Sequence, residues 1–235
     1  MENNEKRILV VDDEVKIVEV VQSYLSYNQF FVISANNGND ALNLFNKESP
    51  DLIILDLMLP DISGEDICRL IRRKSKVPII MLTAKTEEED ILLGLDIGAD
   101  DYITKPFSPR QLVAKVKALL RRVEEDKASS VQIISVNKGE LTINGISYEV
   151  RKKGDIVNLT PNEYNILNTL VKYPNKVFTR EELISIALGE NFIGYDRAVD
   201  SHIKNLRQKI ESDPKEPEYV LTIRGVGYKF GGLLE

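Results

Sequence analysis

The residues with the clearest chemical potential stand at the ends of short apolar runs. "ILVVDDE" (8–14) closes on Asp12 and Asp13, and "LIILDLMLP" (52–60) carries Asp56 behind four apolar residues. "MLTA" (81–84) holds Thr83, and "DYITKPF" (101–107) ends its apolar part near Lys105. A charge at the end of a buried stretch is costly unless something pairs with it. Three carboxylates brought together would repel unless a cation joined them or one kept a proton. Mg2+ suits such a group, because it takes a few carboxylates plus waters and a phosphate oxygen. A hydroxyl and an ammonium opposite a carboxylate make a cradle for a phosphoryl group, with Asp56 as nucleophile. The plainer reading is that Asp12, Asp13, Asp56 and Lys105 cap strands and form a buried ion-pair network. For one of them alone the two readings are balanced, whereas charged or hydroxyl groups at the ends of four strands favour the first.

These ends matter only if the fold brings them together. Five short runs recur in the first half: "RILVV" (7–11), "FFVISA" (30–35), "DLIIL" (51–55), "PIIML" (78–82) and "DYIT" (101–104). Each is too short for a helix and nearly all apolar, as strands buried on both faces of a parallel sheet are. Helix starts lie between them, in "SGED" (63–66), "TEEE" (86–89) and "SPRQ" (108–111). In the last helix Leu112, Val113, Val116, Leu119, Leu120 and Val123 share one side at helical spacing. The alternation predicts a doubly wound (βα)5 sheet, whose ligands bind outside the carboxyl ends of the strands.

The chain has 235 residues, enough for two compact domains. No apolar run approaches the roughly 20 residues of a membrane span, and "MENNEKR" is not a secretion signal, so a cytoplasmic protein is expected. The only cysteine, Cys68, has no internal disulfide partner, and the only histidine, His202, excludes a His-rich metal site. Any metal should be a hard ion held by oxygen. Net charge is −6 and neither half is basic, so contact with nucleic acid would need a local basic face.

After "LLRRVEEDKASS" (119–130) the pattern changes, and Glu124 to Ser130 is the expected linker between domains at 1–123 and 131–235. Strand-like pieces "VQIISV", "ELTING" and "ISYEV" precede helices started by the capping boxes "TPNE" (160–163) and "TREE" (179–182). In a third helix, about Asp196 to Glu211, Val199, Ile203, Leu206 and Ile210 form a narrow apolar stripe. Opposite lie Arg197, Ser201, Lys204, Asn205 and Gln208, a face without an acid, with Asp200 at its edge. Such a face suits a DNA major groove, although the stripe alone fits a solvated helix equally. "YVLTIRGVGYKF" (219–230) reads as a hairpin with Arg224 near its tip, either exposed to solvent or within reach of a minor groove.

"ILVVDDE", "DLIILDLMLPDISG", "MLTA" and "GADDYITKPFSP" resemble the receiver domain of bacterial two-component response regulators over nearly all of residues 6–123. "LTPNEYNIL", "VFTREEL", "DRAVDSHIKNLRQKI" and "IRGVGYKF" resemble the winged-helix effector domain of the OmpR/PhoB type over most of 131–231. The resemblance implies that a sensor histidine kinase phosphorylates Asp56. It implies Mg2+ held by Asp13, Asp56 and the backbone carbonyl of Met58, with Asp12 acting mainly through water. Thr83 and Lys105 would hold phosphoryl oxygens, Tyr102 would turn inward as the switch responds, and the Lys105–Pro106 bond would be cis. In the second domain it implies base contacts from Ser201 and Asn205, and phosphate contacts from Arg197, His202, Lys204 and Arg207. Arg224 would enter the minor groove.

The implied protein is a phosphorylation-switched, DNA-binding transcription regulator that dimerises on adjacent half-sites of double-stranded DNA. RNA polymerase is a further partner the family admits. It is not an enzyme beyond weak self-phosphorylation from small donors and self-dephosphorylation. The D-x-D-x-[TV] phosphatases also use an aspartyl nucleophile, but Met58 stands where they carry the general acid. A phosphotransfer relay protein whose C-terminal domain binds a protein is the alternative from another class. Two positions depart from the family. "ALGENF" replaces its usual tryptophan before the recognition helix, and one ion pair of its dimer face falls on the uncharged Ile91 and Gln111. Asp96, Asp100 and Asp101 remain opposite Lys115, Arg121 and Arg122, which predicts the same dimer with weaker salt dependence.

Overall fold

The computed structural model describes residues 5–84, 97–128, 133–145, 147–188 and 198–234. The chain divides into two compact units, Met1–Leu120 and Arg121–Glu235. In the first unit, strands β1 (Arg7–Val11), β2 (Phe31–Ala35), β3 (Leu52–Asp56), β4 (Ile79–Thr83) and β5 (Asp101–Thr104) form one parallel sheet in the order β2-β1-β3-β4-β5. All residues of β3 and β4 are buried, which is why these runs carry no polar alternation. At the sheet edge, β2 is largely part-exposed.

Helices α1 (Val15–Tyr27), α2 (Gly38–Glu48), α3 (Gly64–Arg72) and α4 (Pro109–Ala128) accompany the sheet. The predicted "TEEE" start and Ile91 fall outside the described residues, so α4 here is the helix that follows β5. Its residues Leu112, Val113, Val116, Leu119 and Leu120 enter one core with Val18, Val21 and Leu25 of α1 and with β1, β3 and β4. That matches the helical spacing read from the sequence. Helix α4 runs on to Ala128, so most of the expected linker is helical.

The second unit opens with an antiparallel sheet of β6 (Ile133–Val136), β7 (Leu141–Asn144), β8 (Glu149–Lys152) and β9 (Asp155–Val157). The last of these was not expected from the sequence. It closes a hairpin through Lys153 and Gly154, both at positive φ. Helix α5 (Pro161–Lys172) starts at a complete capping box of Thr160 and Glu163, and α6 (Arg180–Leu183) at one of Thr179 and Glu182. A π-helical turn, Ile184–Leu188, extends α6. Helix α7 (Ala198–Ile210) buries the predicted stripe of Val199, Ile203, Leu206 and Ile210 completely or nearly so. Strands β10 (Val220–Ile223) and β11 (Gly227–Phe230) form the predicted hairpin, and Phe178 makes an isolated antiparallel bridge to Tyr228. Gly227 is required there: a Cβ would lie 1.9 Å from the Phe178 carbonyl oxygen.

Candidate functional site

Strand register alone assembles the first site. Val11 pairs with Leu55, so Asp12, just past β1, and Asp56, the last residue of β3, lie side by side at the carboxyl edge of the sheet. Asp56 pairs with Leu82 and Thr83 with Thr104, which sets Thr83 and Lys105 on the same edge. The Lys105 ammonium lies 2.8 Å from Asp12 Oδ2, 3.0 Å from Asp56 Oδ2 and 3.5 Å from Glu14 Oε1. Asp12 and Asp56 are buried while Asp13 is exposed. Glu14 also donates its backbone N–H to Asp12 Oδ1. It was not singled out from the sequence, although it directly follows the two aspartates.

Burial raises the pKa of Asp12 above the usual carboxylate range, and Asp56 adds to this, despite the opposing Lys105 contact and the Glu14 N–H. Burial acts to lower the Lys105 pKa, but its contacts with Asp12 and Asp56 outweigh it and leave the ammonium more basic than usual. This edge of the sheet therefore carries more negative charge than one ammonium neutralises. Asp12, Asp13 and Asp56 each offer an oxygen, all within 4.8 Å of one another, a donor set that fits one hard cation.

The loop after β3 is fixed from two sides. The Gly64 N–H donates to the Leu57 carbonyl, and a Cβ on Gly64 would fall 2.1 Å from the Asp56 carbonyl oxygen, so only glycine lets α3 start this close. Asp61 accepts the N–H groups of Gly38 and Asn39 and the Asn39 side-chain amide, tying the loop to the start of α2. Met58 is exposed and its backbone stands between these anchors. Thr83 is buried, and the Lys105–Pro106 bond is cis, as expected from the resemblance. Tyr102 is inward and buried, with its hydroxyl 2.9 Å from the Met81 sulfur. Cys68 is buried and its thiol is pushed up to about 11 by desolvation, which leaves it unreactive.

The residues expected on a dimer face are placed differently. Asp100 is fully buried and points inward, where Arg72 pairs with it at 2.7 Å and the Ile79 N–H donates to it. Asp101 and Lys115 are buried and pair with each other at 2.5 Å within the chain. A buried carboxylate takes whatever donor the fold supplies, and sequence spacing does not show that donor. Arg121 is exposed. Asp96 and the side chain of Arg122 lie outside the described residues.

The DNA-facing set also changes. Lys204 and Gln208 of α7 are exposed, as is Arg224 at the turn of the β10–β11 hairpin. His202 is 1 % exposed, with Nε2 3.3 Å from the Asn162 amide nitrogen, so it is an interior residue and not a phosphate contact. Ser201 and Asn205 are also buried. A helix packed by several neighbours buries a wider arc than its apolar stripe marks, including polar residues that find partners inside. Arg207 is committed to the hairpin: Nε and Nη2 donate to the Val220 carbonyl at 3.0 and 2.6 Å, and Nη2 to Thr222 Oγ1 at 2.8 Å. Arg197 lies outside the described residues.

Comparison with known proteins bears on both units. Residues 8–117 match the response regulator receiver domain family, and residues 154–230 match the family of transcriptional regulatory proteins, C terminal. The DNA-binding response regulator MtrA of Mycolicibacterium smegmatis (strain ATCC 700084 / mc(2)155) is 43% identical over 231 residues, covering 98% of this chain and 99% of that one. Among solved structures, response regulator DrrB, a Thermotoga maritima OmpR/PhoB homolog, is 38% identical, with TM-score 0.52 over 97% of this chain and 100% of that one. A mutant of the protein RitR is 27% identical, with TM-score 0.77 over 96% of this chain and 98% of that one.

Proposed function

Because the chain belongs to the OmpR/PhoB-type response regulators, in which a receiver precedes a winged-helix domain, we propose that Asp56 accepts the phosphoryl group that switches this transcription regulator on DNA. The observation that carries this reading is the Lys105 ammonium held between Asp12 and Asp56 at the carboxyl edge of the sheet. An Asp56 carboxylate oxygen attacks the phosphorus of a kinase phosphohistidine, the P–N bond breaks, and the imidazole leaves. Lys105 and Thr83 then stand where they can donate to the new phosphoryl oxygens.

Asp12, Asp13, Asp56 and the Met58 carbonyl are the residues that would hold Mg2+. When bound, the ion offsets the charge of the acids and of the incoming phosphoryl group. At most weak self-phosphorylation from small donors and self-dephosphorylation are expected. Among the described residues no helix is long and apolar enough to cross a membrane. We assign the protein to the cytoplasm, where a sensor kinase and double-stranded DNA are its partners and RNA polymerase is a further candidate.

Lys204, Gln208 and Arg224 are the described residues best presented to DNA, and Arg197, which precedes α7 in the sequence, remains the further basic candidate. Two receivers pairing on phosphorylation would raise the effective concentration of two winged helices on tandem half-sites. Selection from a random DNA pool with Mg2+-loaded, beryllofluoride-treated protein, against untreated protein, tests the reading. A repeated half-site enriched only after treatment is expected. Equal enrichment in both arms would discard phosphate control, and no enrichment would discard DNA recognition in favour of a relay protein.

A further inference from the structure

Three elements of the winged helix converge on one tyrosine. Tyr228, on β11 behind the hairpin turn, is 5 % exposed, and its hydroxyl donates to Asp200 Oδ1 of α7 at 2.6 Å. Asp200 in turn is held by Arg180, the first residue of α6, through Nε at 2.8 Å and Nη2 at 3.2 Å. The Arg180 and Arg207 guanidinium carbons lie 5.6 and 5.8 Å from the centre of the Tyr228 ring, within cation–π range. Arg207, from α7, reaches across to the Val220 carbonyl and Thr222 hydroxyl of β10. The backbone of Tyr228 exchanges two hydrogen bonds with Phe178, two residues before α6 begins.

These contacts explain an acid beside a DNA-reading face. A free carboxylate there would repel phosphates, whereas Asp200 is bound by a bidentate guanidinium and a phenol. Burial and Asp200 push the Tyr228 phenol up to about 12, so it stays protonated and donates.

Resting on the DNA-binding reading above, we propose that Tyr228, with Asp200, Arg180 and Arg207, is a positioning hub that fixes the hairpin relative to the recognition helix. It sets whether Arg224 and Lys204 can engage the two grooves of one half-site together. Tyr228 does so without touching DNA, because it is buried while Arg224 is exposed.

A double-mutant cycle on the full-length, beryllofluoride-treated protein tests this with the half-site DNA selected above. In the wild type, Arg224→Ala should weaken binding about tenfold. In the Tyr228→Leu background the same change should weaken it less than about threefold, because the wing no longer reaches its groove. Tyr228→Phe keeps the ring within reach of both guanidiniums and should restore part of the Arg224 effect. Melting curves restrict the comparison to folded protein, and if Tyr228→Leu is unfolded, Asp200→Asn takes its place in the cycle. Additive effects of Tyr228 and Arg224 in folded variants would overturn the positioning role. Failure of the wild type itself to bind the DNA would instead overturn the functional reading.

Discussion

Lys105 is the residue on which the receiver site turns. With its ammonium 2.8 Å from Asp12 and 3.0 Å from Asp56, it occupies the region where a cation would also be attracted. Ammonium and metal therefore compete for one set of acids, and removing the ammonium should strengthen metal binding while disabling the switch. Lys105→Met is expected to bind Mg2+ more tightly by about 1 kcal/mol, roughly fivefold. It should still fail to enrich the half-site after beryllofluoride treatment. Magnesium titration by calorimetry checks the first part, and weaker binding in the variant would contradict the competition. Asp12, Asp13, Asp56, Thr83 and Lys105 could all be picked out from the sequence, because charged and hydroxyl groups at the ends of apolar runs stand out. His202 could not be placed correctly. Its phosphate-contact role came only from the family resemblance, and its burial depends on α5, which packs against it from 40 residues away.

At the scale of elements, the loop after β3, the strand that carries the proposed phosphoacceptor, owes its position to the starts of two helices. Gly64 lets α3 begin against the Asp56 carbonyl, so Gly64→Ala forces a Cβ to within 2.1 Å of that oxygen unless the loop shifts. Such a clash with backbone should cost about 2–4 kcal/mol and should slow phosphorylation of Asp56 more than it weakens DNA binding by the effector domain. Chemical denaturation, labelling with acetyl phosphate and a DNA titration measure the three effects, and equal losses of labelling and DNA binding would contradict this role for Gly64.

Asp61 anchors the other side. The Gly38 N–H, helped by further backbone donors, lowers its pKa from 3.8 to about 2. A depressed carboxylate pKa stabilises the fold above the unfolded value and loses that contribution as pH falls through the folded one. Wild type should therefore melt above Asp61→Asn at neutral pH, and the gap should close between pH 3.8 and about 2. A gap that stays constant as the pH is lowered would rule out this role for the carboxylate. Helix starts at Ser63, Thr160 and Thr179 were legible in the sequence because capping is local chemistry. Strand β9 was not, since its three residues become a strand only beside β8.

For the whole molecule, the expected dimer must be reconsidered in charge terms. Ile91 and Gln111 remove one ion pair that the family resemblance would supply. Asp100 is taken by Arg72, and Asp101 by Lys115, within the chain. Among the described residues these pairings withhold three of the expected charges, Asp100, Asp101 and Lys115, so the association proposed on phosphorylation should rest mainly on shape and apolar contact. Sedimentation equilibrium of beryllofluoride-treated protein at about 50 and 500 mM salt should give dimer constants within roughly threefold of each other. A loss of tenfold or more at the higher salt would show that ion pairs still dominate. DNA affinity over the same range should fall steeply, because phosphate contacts release counterions.

The sequence by itself determined the two-domain order, the five-strand alternation, the acidic and basic ends of the strands, and the amphipathic helix behind the hairpin. These follow from local periodicity and from residue types that are costly to bury. Only the tertiary structure decided how the strand ends meet, which acids are spent inside the receiver, and which polar residues of α7 are buried. It also revealed Arg207 and Tyr228 as ties between recognition helix and wing. Each of these depends on partners far apart in the chain, and the partner that satisfies a buried charge or hydroxyl is set by packing, which no local pattern encodes.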